Sequence, residues 1–210
     1  MQQPAIFRED DPATLHTLMR AHPFATLITA ALGPLEADHV PLVLHETPDG
    51  LRLRGHLAVT NPLARSGVEA TDALCVFQGP HAYISPGWYA SKREHGRAVP
   101  TWNYAVVHAR GSLRVVRDAD WLLAHLHALT EQHESHRAEP WALGDAPADY
   151  LARLKREIVG LELEVAALSG VWKMSQNKSH ADRAGVRAGL SLDSVTHAAD
   201  VSALVPQHGD

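Results

Sequence analysis

The sequence predicts a mainly β chain with flanking helices, its antiparallel strands arranged as a β-barrel. Three observations carry this. Apolar runs of strand length follow one another closely between residues 24 and 116, separated by turn residues such as Gly33-Pro34 and Pro48-Asp49-Gly50. Strands joined by turns that short pair antiparallel, and a long series of them favours a barrel. The longer helical patterns stand outside this series, before residue 24 and after residue 117.

Asp11 is placed to cap a first helix, with Pro12 in its first turn and Leu15, Leu18 and Met19 at helical spacing, and His22-Pro23 ends it. Phe24 to Thr29 reads as a strand, closed by a turn at Gly33-Pro34. Leu35 to His45 reads as a second strand, in which Pro41 marks an edge, a bulge or an interrupted ladder. After Pro48-Asp49-Gly50, the strand from Leu51 to Ala58 alternates Leu and Arg and completes the plainest hairpin in the chain. Asn61-Pro62 opens a short helix to about Val68. Ala73 to Gln78 reads as a buried strand bent at Gly79-Pro80 before His81 to Ser85, and Pro86 to Arg97 as a loop. Trp102 to Val116 is a long alternating strand with a bend at Gly111.

Asp118 to about His133 and Ala148 to Glu157 follow as helical patterns. Ile158 to Leu168 is a last strand, with Gly170 to Met174 after it and a helical tail from Ser179. Residues 1–178 thus form one barrel domain with a helical insertion at about 117–157, and 179–210 a C-terminal tail.

The apolar share of 45% and charged share of 20% are those of a soluble globular protein. No run of eighteen apolar residues occurs, and the N-terminus lacks the basic and apolar regions of a secretory signal. The single cysteine, Cys75, stands between Leu74 and Val76 as a small core residue and leaves no internal disulfide or Cys-based zinc site. These features point to the cytoplasm. The net charge of −5 argues against a broad electrostatic surface for DNA, and the local cluster Lys92-Arg93 with Arg97 does not reverse it.

No G-x-G-x-x-G, Walker A, G-x-S-x-G or H-E-x-x-H pattern is present. Six of the twelve Phe, Tyr and Trp residues lie between Phe77 and Tyr104, interleaved with Gln78, His81, Ser85, His95, Thr101 and Asn103. Such a segment either receives a planar hydrogen-bonding ligand or forms an aromatic core corner with satisfied polar tips. His39 and His56 sit within strands, and Asn61 opens a helix whose free N–H groups suit a phosphate. Lys173, Ser175, Gln176 and Asn177 cluster after the last strand, as ligand contacts or simply as a polar exit turn. The pairs His125/His127 and His133/His136 have metal-like spacing at first sight, but Glu131 and Glu134 beside the second mark a solvated helix end.

Several segments resemble PaiB-type proteins: Phe24-Ala25-Thr26-Leu27, His39-Val40-Pro41-Leu42, Gly55-His56-Leu57-Ala58 and Asn61-Pro62. So do Phe77 to Pro86, Trp88-Tyr89, Val99 to Tyr104, and Trp172 to Asn177, so that the resemblance runs from about Pro4 to about Leu190. It implies an FMN-binding split β-barrel, a homodimer with flavin held between subunits, and negative transcriptional regulation, direct or through a partner. It places Asp38, His39, Val40 and Pro41 along the flavin ring edge and His56 and Asn61 at the ribityl phosphate. Gln78 falls at the polar ring edge, and Trp102, Asn103, Lys173 and Gln176 across the dimer. Flavin enzymes of this fold often set Lys or Arg at the phosphate; this chain has Thr60-Asn61-Pro62, with Arg65 a few residues on.

Two other functions fit the same residues. One is an FMN-dependent oxidoreductase, although no acid–base pair names a catalytic residue. The other is a haem-binding protein, with His81 or His95 as the axial ligand.

Overall fold

The structure, a computed structural model, describes residues 4–67 and 69–207. In chain order the strands are β1 (Arg8–Glu9), β2 (Phe24–Thr29), β3 (Glu36–Pro41), β4 (Val43–Thr47), β5 (Gly50–Ala58), β6 (Thr71–Ile84), β7 (Thr101–Val116) and β8 (Ile158–Lys173). The helices are α1 (Pro12–Ala21), α2 (Pro62–Arg65), α3 (Ala90–His95), α4 (Ala119–Glu134), α5 (Ala148–Lys155), α6 (His180–Leu192) and α7 (Ala198–Leu204). One sheet takes the order β3-β2-β6-β7-β8-β5-β4, with β1 paired to β8. By contacts the chain divides into a larger unit, residues 19–77 and 108–168, and a smaller one, residues 1–18, 78–107 and 169–210. None of the described helices is long and apolar enough to cross a membrane.

In the larger unit β2 pairs antiparallel with both β3 and β6, and β5 with both β4 and β8. Alternation decides the faces: Ala25, Leu27 and Thr29 of β2 and Leu53 and Leu57 of β5 are buried on the core side. The sheet curls on itself there. A Cβ added at Gly55 would lie 2.9 Å from Val40 Cγ1 and 3.2 Å from the Pro41 carbonyl, so glycine lets β5 close against β3 at the far end of the strand order.

The single strand expected over Leu35–His45 is two strands with different partners. Pro41, which has no N–H, ends β3 opposite Phe24, and the Leu42 N–H turns away to the Pro23 carbonyl at 2.9 Å before β4 begins. Cys75 is buried in β6, and burial pushes its thiol up to about 12. Asp118 caps α4 through the Trp121 N–H at 2.6 Å. The helix then lays Trp121 against Gly160 of β8, where any Cβ would stand 2.3 Å from the indole.

In the smaller unit Asp11 caps α1, accepting the Thr14 N–H at 2.9 Å, as the sequence predicts. Gly79-Pro80 does not end the strand there: β6 runs unbroken from Thr71 to Ile84. Close approach explains the glycine: a Cβ at Gly79 would stand 2.7 Å from Leu18 Cδ1 and 3.1 Å from the Ala105 carbonyl. Nor is Pro86–Arg97 a plain loop. Ser85 caps a 3₁₀ turn, Pro86–Trp88, through the Gly87 N–H, and α3 follows, closed by Gly96 in the left-handed region at φ 71°. The tail is helical as expected. Gly185 and Gly189 of α6 admit Trp88 so closely that Cβ atoms there would lie 2.0 and 2.3 Å from it. Asp182 of the same helix accepts both the Ser91 N–H and the Ser91 hydroxyl at 2.9 Å.

Candidate functional site

The larger unit holds six of the residues singled out from the sequence. Asn61 is fixed at both ends of its amide: Oδ1 accepts the Leu63 N–H at 2.8 Å and so caps α2, while Nδ2 donates to Asp38 Oδ1 at 2.7 Å. Two sequence segments 23 residues apart are thereby joined. Along β3, His39 is exposed beside Phe24, with ring centres 6.1 Å apart. Val40 is buried against Gly55 and can offer a ligand only its backbone. Pro41, half-buried, brings no N–H.

His56 faces α4. Its Nδ1 stands 3.1 Å from Nε2 of His125, a wholly buried imidazole that stacks on Trp121 with ring centres 5.6 Å apart. Burial lowers the pKa of His56. Burial, then the His56 ring and the Arg54 guanidinium, push His125 down to about 4. The alternating run Arg52, Arg54, His56 lies on this one face of β5, and Glu162 of β8 stands opposite Arg54 in the ladder.

Glu162 gathers three arginines: Arg54 Nε at 2.8 Å, Arg114 Nη2 at 2.6 Å and Arg52 Nη1 at 3.2 Å, with the Trp121 indole N–H at 3.4 Å. Burial pushes its pKa up, but the hydrogen bonds and charges of Arg114 and Arg54 outweigh that and hold it at about 2. The layer between α4 and the sheet is thus an arginine-rich polar interior whose carboxylate stays ionised.

The smaller unit holds the other five. Trp102 is 52% exposed, edge-on to Tyr83 at 6.2 Å and 6.1 Å from His81, which leaves a large aromatic surface uncovered. His81 Nδ1 lies 3.2 Å from the Gly79 carbonyl; a carbonyl only accepts, so Nδ1 carries the proton and Nε2 the lone pair. Gln78 is exposed.

Asn103 is fully buried: its Nδ2 donates to Ser175 Oγ at 3.0 Å, and Ser175 Oγ donates back to Asn103 Oδ1 at 3.2 Å. That exchange holds Ser175 in the left-handed region at φ 63°, unusual for a residue with a Cβ. Lys173 donates to Thr101 Oγ1. Gln176 spends its amide locally, accepting the Met174 N–H at 2.6 Å and donating to the Trp172 carbonyl.

The structure therefore joins Asp38 to Asn61 directly. It ties His56, Asn103, Lys173 and Gln176 to residues outside the predicted set, namely His125, Ser175, Thr101 and the backbone at Trp172 and Met174. Sequence reasoning did not single out Trp121 or the Glu162 cluster as site residues, and weighed His125 only as half of a metal-spaced pair with His127. A signal existed in part, since Leu-Arg-Leu-Arg-Gly-His puts Arg52, Arg54 and His56 on one face, and Trp121 and His125 stand one helical turn apart.

An antiparallel sheet in which β5 closes against β3 places the chain among the flavin-type split barrels. The solved FAD and haem binding protein from Mycobacterium smegmatis shares this fold at a TM-score of 0.58, with 18% identity over 79% of this chain and 73% of that one. The chain belongs to the family described as "Putative FMN-binding domain", whose model matches residues 1–167. Among relatives, protease synthase and sporulation protein PAI 2 of Bacillus subtilis is 33% identical over 87% of this chain and 85% of its own length. An uncharacterized protein of Emericella nidulans is 35% identical over 89% of this chain and 88% of its own length. The PaiB-type resemblance carried by the motifs is borne out.

Proposed function

We propose that this chain binds FMN as a homodimer and acts as a PaiB-like regulator in the cytoplasm, coupling redox state or metabolite supply to gene expression. The observation that carries the reading is the Asn61–Asp38 hydrogen bond, which ties the Asn61-Pro62 motif to the residue just before His39-Val40-Pro41-Leu42 at the start of α2. The residues present fit the group by type. A flavin needs an aromatic or apolar face, polar contacts along its pyrimidine edge and donors for a phosphate. Trp102 and Tyr83 leave aromatic surface open. The β3 backbone from Asp38 to Pro41 and the Gln78 amide suit the ring edge, and His56 and Asn61 suit the phosphate.

On this reading Trp102 and Lys173 act across the dimer, while Asn103 and Gln176, whose amides are already engaged, hold the segments that carry them. When bound, FMN supplies one- and two-electron redox chemistry. The chain's part is to orient the ring and to exclude water from it. The net charge of −5 favours a regulatory route through a protein partner over direct contact with DNA.

Absorption spectra of the purified protein, followed by FMN titration of the apo form with light scattering, test the reading. Flavin bands or saturable quenching in a dimer are expected; a colourless protein that leaves FMN fluorescence unchanged overturns it. Steady NAD(P)H oxidation with turnover of an acceptor would instead make the chain an oxidoreductase. A haem reading draws on His81, whose fixed tautomer leaves Nε2 as the ligating atom. A Soret band lost on His81→Ala would support it.

A further inference from the structure

We infer that His125 is a positioning residue that holds His56 as the Nε2–H tautomer, so that His56 presents a neutral N–H donor to the phosphate of the flavin. The inference rests on the FMN reading above. One proton lies between His56 Nδ1 and His125 Nε2, which are 3.1 Å apart, so a neutral pair has two arrangements. If His56 donated, His125 would carry its own proton on Nδ1, a buried atom with no partner among the described residues. An orphaned buried N–H is among the rarest features of folded proteins. If His125 donates instead, its Nδ1 is a bare lone pair in a site beside the Arg54 guanidinium, which opposes extra positive charge there.

The second arrangement also suits the ligand. With Nδ1 accepting from His125, the proton of His56 sits on Nε2, on the opposite side of the ring. The other tautomer would turn a lone pair toward an anion. His125 can do this because nothing lets it tilt: it is 1% exposed and stacked on Trp121, which is itself seated on Gly160 and hydrogen-bonded to Glu162. The charged groups of this layer are Arg52 and Arg54 on β5, Arg114 on β7 and Glu162 on β8. A neutral His56 adds a donor without adding to three clustered cations. This is how a site built around Thr60-Asn61-Pro62 would bind a dianion.

The test uses the full chain labelled with ¹⁵N-histidine, His56 being assigned by loss of its signals in His56→Ala. Two-bond ¹H–¹⁵N correlations at neutral pH read its tautomer directly, and Nε2–H is expected. His125→Phe keeps an aromatic ring but removes the donor. It is expected to release His56 into mixed tautomers and to weaken FMN roughly tenfold to a hundredfold, the scale of one hydrogen bond to a charged group. His125→Gln keeps an N–H and is expected to restore most of the affinity, with thermal melts showing that both variants fold.

An Nδ1–H tautomer in the native protein overturns the positioning role while leaving FMN binding intact. So does native-like affinity in a folded His125→Phe. A native protein that ignores FMN overturns the flavin reading and the donor role with it, whatever tautomer is found.

Discussion

Among the described residues each unit buries one carboxylate, and the two are held in different ways. Glu162 in the larger unit and Asp182 in the smaller are 1% and 5% exposed. Burial alone would raise both pKa values, yet both are lowered. Around Glu162 the Arg114 and Arg54 guanidiniums outweigh the loss of water. Around Asp182 the Ser91 N–H and hydroxyl and Ser179 do so, with the Lys178 charge a lesser contribution. The first carboxylate neutralises cations that would otherwise be crowded together; the second staples α6 to the start of α3. Removing Glu162 leaves charges stranded, whereas removing Asp182 leaves only neutral donors to find water.

The sharpest break in that comparison is Glu162→Gln, which keeps the shape and removes the charge. It is expected to cost about 2–3 kcal/mol, because it removes charge-assisted hydrogen bonds and leaves three partly exposed arginines uncompensated. A loss below about 1 kcal/mol in urea unfolding would mean that the cluster is hydrated and that the two carboxylates are alike. Asp182→Asn keeps one acceptor and should cost about 1–2 kcal/mol. Its effect should be local, with faster amide exchange over 86–95.

Acid works against both carboxylates in the same direction, and the two variants separate their contributions. Glu162 has a folded pKa of about 2, below its unfolded value, so its stabilisation is complete above roughly pH 4.5 and is lost as pH falls toward 2. Wild type should lose stability across that window, Glu162→Gln should lose less, and Asp182→Asn should keep the Glu162 slope. The smallest effect expected is that of Arg114→Met. Arg114 is half exposed, and two arginines remain on the carboxylate, so about 1 kcal/mol or less is predicted from thermal melts.

The legible parts of the fold were those set by local chemistry. The Asp11 and Asp118 caps and strand β2, which begins and ends as predicted, needed only neighbouring residues. The hairpin around Pro48-Asp49-Gly50 is equally local. What was missed depended on partners. Gly79 read only as a bend because the packing of Leu18 against that glycine is invisible in sequence. Leu35–His45 looked like one strand; Pro41 marked the interruption, but nothing local says that the two halves pair with different neighbours.

The candidate site followed the same rule. The resemblance marked Asp38 and Asn61, and the fold joined them. His125 carries no motif, and only the seating of α4 on Gly160 gives it a role. Glu162 and Glu164 are two apart on one face, and their alternation is identical. Trp121 and three arginines reach Glu162, which is buried, whereas Glu164 is exposed.

Leu42 has a further consequence. β3 and β4 are the two outermost strands of the order, yet one residue joins them. Where a barrel usually zips its seam with ladder hydrogen bonds, here a covalent hinge spans it. The sheet is a hoop fastened by the chain itself. Cutting the backbone at Leu42 would leave every inter-strand pairing in place and still undo the clasp, so new termini at this position would ask whether the seam or the ladders keep the hoop round.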